Sequence, residues 1–263
     1  MMIEKITEEF DTAQILSYAS REKRAWGDLF FNEQNPTHYD ANHADVSVLP
    51  ADPDAVIDEV IQFYREKAII PRFYLHNVEA LAPFIEKLTA RGFGYEEFDH
   101  AVQLWNGQLA NVPHDDRVSI ERVSSHNFTE AMEVECSIAE FGGRKVREKA
   151  FQLEFANPAY DYYLLYVDGV AASTACTFKT GSHIRLENVA TRKEWRGQGL
   201  IGILIRHMQE EVALQGYKQF WVYPINEQVE KVYKRYHFDT VGRLRMAHAF
   251  LGGKSIKEIH AGN

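Results

Sequence analysis

Only two cysteines, Cys136 and Cys176, occur among the 263 residues. The pattern around Cys136 reads as helix and that around Cys176 as strand. The expectation is a pair of buried, reduced thiols, with neither a disulfide framework nor a nucleophilic cysteine. No apolar run approaches the roughly 18 residues of a membrane span. The opening M-M-I-E-K-I-T-E-E-F is acidic where a signal peptide is apolar, so a cytoplasmic protein that engages no membrane is expected. A basic excess is missing too: Lys and Arg number 29 against 38 Asp and Glu, a formal charge of −9. The deficit is concentrated in the first half, since residues 1–110 hold 9 basic and 19 acidic side chains and residues 111–263 hold 20 and 19. Neither half offers the basic surface that nucleic-acid binding requires. An acidic first half would attract a cationic amine, although a solvated acidic face without a partner reads the same way.

What is present describes a globular chain with core enough to fold unaided: 45% hydrophobic and 25% charged residues. The length favours two domains. The most informative stretch is Val189 to Met208, V-A-T-R-K-E-W-R-G-Q-G-L-I-G-I-L-I-R-H-M. An apolar-to-polar run from Ile184 to Thr191 leads into a cationic segment, then Arg196-Gly197-Gln198-Gly199. Apolar residues then follow at helical spacing: Leu200, Ile201, Ile203, Leu204, Ile205 and Met208. This is strand, glycine-rich turn and helix start. The free N–H groups and positive dipole end of such a helix suit an anion, above all a phosphate.

Three phosphate loops have to be separated. A P-loop needs Gly-Lys-Ser/Thr, and Gly199 is followed by Leu200 and Ile201. The spacing Gly197-x-Gly199-x-x-Gly202 matches a dinucleotide fingerprint. However, six residues, Arg192 to Gly197, separate it from the strand, and the next strand, Gln219 to Tyr223, ends in Pro224-Ile225-Asn226 without the acidic residue that holds a ribose. The third reading accounts for more residues. Val189-Ala190-Thr191, four residues, then Arg196-Gly197-Gln198-Gly199-Leu200 resembles the acetyl-CoA loop of the GNAT N-acetyltransferase superfamily, Arg/Gln-x-x-Gly-x-Gly/Ala. Further on, Asn226-x-x-Val229-x-x-Val232-Tyr233-x-x-Tyr236-His237-Phe238 resembles that superfamily's Asn-x-x-Ala-x-x-Leu-Tyr-x-x-x-Gly-Phe helix. Ile201 and His237 depart from the pattern, and Gly202, one position after Ile201, is expected to supply slack.

The first half repeats the order of the second. Val46 to Leu49 alternates like a strand. Asp52 and Pro53 form an N-cap and first-position pair for a helix to about Lys67. A strand at Arg72 to Leu75, a helix at about Glu79 to Ala90, Arg91-Gly92-Phe93 and a long strand at Tyr95 to Trp105 follow. The resemblance therefore implies an α/β (α+β) fold of two tandem GNAT-like domains, each a mixed, mostly antiparallel sheet flanked by helices. The expected spans are 1–110, a linker at 111–117, and 118–263 as the catalytic domain. The first copy carries Pro50-Ala51-Asp52-Pro53 where the second carries R-G-Q-G. Prolines donate nothing and an Asp repels phosphate, so CoA is not expected there. Later expectations are a helix capped by Ser124 or Ser125 and running to about Ala139, a Gly142-Gly143 hinge, a helix at Lys145 to Phe155, and a hairpin with an Asp168-Gly169 turn.

The resemblance also implies roles. Backbone groups of Val189, Ala190 and Thr191 would pair with the pantetheine arm of acetyl-CoA. Arg196, Gly197, Gln198, Gly199, Leu200, Ile201 and Gly202 would hold the diphosphate, and Asn226 would fix the arm from the far side. Tyr233 would give a proton to the departing thiolate; at an ordinary pKa near 10 it is protonated at neutral pH. Glu187, read as sharing a strand face with Val189, is the candidate base. The acceptor is a small-molecule or peptide amine shaped by residues 138–147 and 160–163, with Glu140 a candidate for its ammonium group. A non-catalytic acyl-CoA-binding module is the alternative, and a homodimer is compatible with either. His38, Asp40, His43 and Asp45 read as loop polarity and no metal is expected.

Overall fold

The computed structural model describes residues 2–217 and 219–261. In chain order the elements are α1 (Met2–Ile15), β1 (Ser20–Arg24), β2 (Gly27–Phe31), β3 (His43–Val46), α2 (Pro53–Glu66), β4 (Arg72–His76), α3 (Ala82–Ala90) and β5 (Gly94–Trp105). Then come β6 (Val118–Arg122), α4 (Phe128–Cys136), α5 (Arg144–Ala156), β7 (Tyr160–Val167), β8 (Val170–Thr180), β9 (His183–Thr191), α6 (Leu200–Leu214), β10 (Phe220–Val222), α7 (Glu227–Arg235), β11 (Phe238–Phe250) and α8 (Ile256–His260). The chain packs as two units, residues up to Phe10 with 100–243, and residues 11–99 with 244–263. These compositions differ from the spans 1–110 and 118–263 read from sequence.

In the unit of residues 11–99 and 244–263, the strand order is β1-β2-β3-β4 followed by the Met246–Phe250 end of β11. β3 and β4 are parallel and joined through α2; the other pairs are antiparallel. α2 forms where the sequence places Val56, Ile57, Val60 and Tyr64 on one stripe, all buried. Its start is fixed by Asp52, whose carboxylate accepts from the Ala55 N–H at 3.1 Å, with Pro53 in the first turn. That stripe and Phe84 and Leu88 of α3 cover Phe73, Leu75, Ala247 and Ala249. Burying each large side chain contributes roughly 1.5–3 kcal/mol. His43 is not a loop residue: it opens β3, fully buried and stacked on Tyr74 with ring centroids 3.9 Å apart. Burial lowers its pKa to about 4. Among the described residues no group of three His, Cys, Asp or Glu is arranged to hold a metal ion.

In the other unit, the Phe238 end of β11 is followed by the end of β5 and then β10-β9-β8-β7-β6. β9 and β10 are parallel and joined through α6, and β10 pairs antiparallel with Gln103 and Leu104 of β5. Asp168 and Gly169, at φ of +48° and +75°, make the expected tight turn between β7 and β8. Leu200, Leu204, Ile205, Met208 and Val212 of α6 fall on one helical stripe. They pack with Tyr163, Leu165, Ala175, Ile184, Leu186, Phe220, Val222, Tyr233 and Phe238. The alternate side chains of the strands, Tyr162 and Arg185 among them, take the opposite face, where Tyr162 meets Phe151 of α5 and Arg185 lies over Phe10 of α1. α4 starts at Phe128 rather than at the Ser124–Ser125 cap, because the Asn127 side chain turns back to accept from the Ser124 N–H at 2.8 Å. Both cysteines are free and buried. No helix among the described residues is long and apolar enough to cross a membrane.

Candidate active site

β9 and β10 stay paired for three residues only, Ile184 to Leu186 against Phe220 to Val222. Pro224, with no N–H to offer, follows β10, while β9 runs on to Thr191. Past Leu186 the β10-side edge of β9 is therefore uncovered. Ser173 Oγ donates to the Ala190 carbonyl at 2.6 Å, and the Arg192 N–H donates to the Ala172 carbonyl at 3.0 Å. The backbone groups of Ala190 thus turn toward β8. By alternation those of Thr191 turn to the uncovered edge. Of the three residues read as partners of a pantetheine arm, Thr191 faces that edge, Ala190 does not, and Val189 lies where the register against β8 shifts.

β9 ends in a short 3₁₀ turn, Lys193–Trp195, and the glycine turn follows. Arg196 Nε donates to the Thr191 carbonyl at 3.0 Å and its Nη1 approaches Glu140 Oε1 at 3.4 Å. Glu140 is thus an ion-pair partner of Arg196, not a free carboxylate awaiting an ammonium group. Gly197 and Gly199 take φ of +78° and +79°, a backbone that favours glycine, and a Cβ on either would point into open space. The N–H groups of Gly197, Gln198, Gly199, Leu200 and Ile201 have no acceptor among the described residues. Gly197, Gln198 and Gly199 are exposed. Five consecutive donors at the positive end of α6 make a cradle for a doubly charged oxyanion such as a diphosphate. Gly202 is not part of it. Its N–H donates to the Gly199 carbonyl at 3.0 Å, and a Cβ there would lie 2.5 Å from Tyr236 Oη. It is a packing glycine, not slack in the loop.

Asn226 caps α7, its Oδ1 accepting from the Val229 N–H at 2.9 Å; the Nδ2 donors have no acceptor among the described residues. Tyr233, on the same helix, is 5% exposed and packs against Phe238 in the apolar cluster beneath the uncovered edge. Among the described residues none hydrogen-bonds its hydroxyl; burial and the Glu187 charge are what act on it. Burial, then the charge of Glu187, push its pKa above the ordinary value, so the phenol keeps its proton throughout the physiological range.

Glu187 is placed differently from the sequence reading. The register of β8 against β9 shifts between Thr174 and Cys176, so Asn188 and Val189 together oppose Ala175. Asn188 sits at φ +48°. This bulge breaks the alternation: Val189 packs on the α6 side, while Glu187 lies on the other face and pairs with Arg185 Nε. Arg185 is 2% exposed and sits 4.5 Å over the Tyr223 ring, whereas the Glu187 side chain is 17% exposed.

Sequence reasoning missed the polar cluster on that face. The Arg147 guanidinium donates to Glu135 Oε2 at 2.5 Å, to both oxygens of Glu154, and to Tyr162 Oη at 3.0 Å. Burial raises the Glu135 pKa to about 7 against the pull of Arg147. Burial also works against the Arg147 charge, but the two carboxylates outweigh it and raise its pKa. Glu135 recurs with Arg147 and Glu154 only through the tertiary fold, and nothing local marks them.

Residues 128–238, from α4 to the first residue of β11, match the model of the Acetyltransferase (GNAT) family. No curated protein matches the chain. A functionally unknown conserved protein from Staphylococcus epidermidis ATCC 12228 superposes with a TM-score of 0.68 at 12% identity, over 88% of this chain and 93% of that one. A GCN5-related N-acetyltransferase from Kribbella flavida superposes at 0.66 and 16%, over 95% of both. A tandem GNAT protein from the clavulanic acid biosynthesis pathway gives 0.58 and 14%, over 94% and 89%. At such identities the likeness is one of fold. Residues 128–238 thus match the GNAT family model, and the chain shares its fold with a solved structure described as a GCN5-related N-acetyltransferase.

Proposed function

We propose that the protein is an acetyl-CoA-dependent N-acetyltransferase acting on a small-molecule or peptide amine. The observation that carries this reading is the run of five unpartnered N–H groups, Gly197 to Ile201, beside the uncovered edge of β9. The amides take the diphosphate of CoA, and Val189 and Thr191 pair with the pantetheine arm as a strand would. Asn226 Nδ2 meets the arm from the α7 side. The amine nitrogen then attacks the thioester carbonyl, the C–N bond forms and the C–S bond breaks. The amine proton leaves through Glu187, by way of water, and Tyr233 protonates the departing thiolate sulfur.

We further propose that the unit of residues 11–99 and 244–263 is a second, degenerate GNAT-like unit. Its strand–helix–parallel strand order, β3-α2-β4, supports this. The Asp52 carboxylate on the first turn of α2 and Pro53 beside it leave no place there for a phosphate.

The test is thiol release from acetyl-CoA across a panel of primary amines. Amine-dependent release supports the enzyme. Binding of CoA with no release from any amine points instead to an acyl-CoA-binding module. The engagement of Glu187 with Arg185 and the lack of a carboxylate on β10 favour that second reading.

A further inference from the structure

The bulge in β9 is built around one side chain. Asn188 Nδ2 donates to Glu154 Oε2 at 3.0 Å and to Tyr162 Oη at 2.8 Å. Glu154 Oε2 also accepts from Tyr162 and from Arg147. Glu154, Glu135 and Tyr162 are buried, and the one guanidinium of Arg147 faces two carboxylates. Glu154 therefore draws on neutral donors, and Asn188 supplies one from the strand. Taking a donor away from a buried carboxylate is costly, so the Asn188 side chain is held where it is. Its backbone takes φ +48°, a conformation Asn tolerates better than most residues. With that residue turned out of register, pairing with β10 has stopped two positions earlier, at Leu186, and Val189 is delivered to the opposite face.

We propose that Asn188 is a positioning residue for acyl-CoA: its anchorage to Glu154 and Tyr162 fixes the bulge that presents Val189 and Thr191 to the pantetheine arm. The inference rests on the acyl-CoA reading above. It assigns to the buried Arg147 cluster a purpose beyond packing, since the cluster sets the geometry of a binding strand that it does not itself line. A purely structural role would change stability and leave the affinity of the folded protein alone.

Asn188→Gly separates the two, because glycine keeps the left-handed backbone without strain and removes only the anchor. The folded variant is expected to bind CoA about tenfold more weakly, with KM for acetyl-CoA raised alike and kcat within about threefold of wild type. Should Asn188→Gly fail to fold, Tyr162→Phe removes one of the two partners while Glu154 stays, and a rise of about threefold in the CoA dissociation constant is expected. Wild-type binding of CoA together with unchanged affinity in the folded variant overturns this inference alone. A wild-type protein that binds no CoA overturns the functional reading and this inference with it.

Discussion

Gly202 lies directly beneath the Tyr236 ring, so close that a Cβ would stand 2.5 Å from the phenolic oxygen and 2.6 Å from Cζ. Gln209 of the same helix donates to the Tyr236 carbonyl at 2.7 Å, which locks α6 against the end of α7. The bond fixes the Tyr236 backbone, so a methyl group at residue 202 has to push the ring aside. Gly202→Ala is therefore expected to cost about 2 kcal/mol through overpacking, read as a lower midpoint in urea. The CoA affinity of the folded fraction is expected to stay at the wild-type level.

Gly199 behaves in the opposite way. A Cβ there meets nothing within 4 Å, but φ is +79° and its N–H is one of the five free donors. Gly199→Val is expected to cost roughly 1–2 kcal/mol in backbone strain. It also weakens CoA binding by about tenfold or more, the equivalent of one hydrogen bond to a charged group. Titration calorimetry on the folded variant reads the second effect apart from the first.

Tyr233 has no hydrogen bond to lose among the described residues. Tyr233→Phe is expected to leave the melting temperature and the acetyl-CoA KM nearly unchanged while kcat falls by about a hundredfold, the scale of a lost general acid. Turnover at the wild-type level would reduce Tyr233 to a packing residue of the cluster around Phe238.

Glu187 carries two expectations. Glu187→Gln removes one charged partner of a nearly inaccessible Arg185, at a cost of about 1–2 kcal/mol in unfolding free energy. If the carboxylate also takes the amine proton, the acid limb of the kcat/KM profile disappears in the variant. An unaltered limb assigns that proton to solvent and leaves Glu187 a structural partner of Arg185.

Glu135 ties stability to pH. Burial raises its pKa from 4.5 to about 7, so the folded protein keeps a proton that the unfolded chain releases near 4.5. Over that interval the folded state binds more protons, and stability falls as pH rises toward 7. Glu135→Gln has no such proton. Relative to that variant, the wild-type melting temperature is expected to drop by a few degrees between about pH 5 and pH 7.5, since 1 kcal/mol corresponds to roughly 2–4 °C at this size. Two parallel curves would contradict the shift.

The succession of elements was legible because each has a local signature. Asp52 and Pro53 announce α2, Asp168-Gly169 announces a hairpin, and the Leu200–Met208 stripe announces α6. Partners were not legible. β5 and β11 are long strands, and nothing in their composition says that Gln103 and Leu104 would pair with β10 while Met246 to Phe250 pair with β4. The bulge was equally silent: an Asn at φ +48° carries no sequence marker, and strict alternation from Val189 put Glu187 on the wrong face. The glycine turn itself was legible, since Gly197 and Gly199 mark it, whereas Gly202 has a spacing that suits a turn but a neighbour, Tyr236, that only the fold supplies.

Acyl-CoA binding here depends on the free amides of the glycine turn holding CoA's diphosphate. Titration calorimetry of the full-length protein with CoA, and in parallel with pantetheine, which shares the arm but lacks the diphosphate, tests this most directly. One CoA per chain is expected, with pantetheine bound at least about a hundredfold more weakly because the cradle and helix dipole have nothing to hold. Equal affinity for the two, or no heat from either, would contradict it.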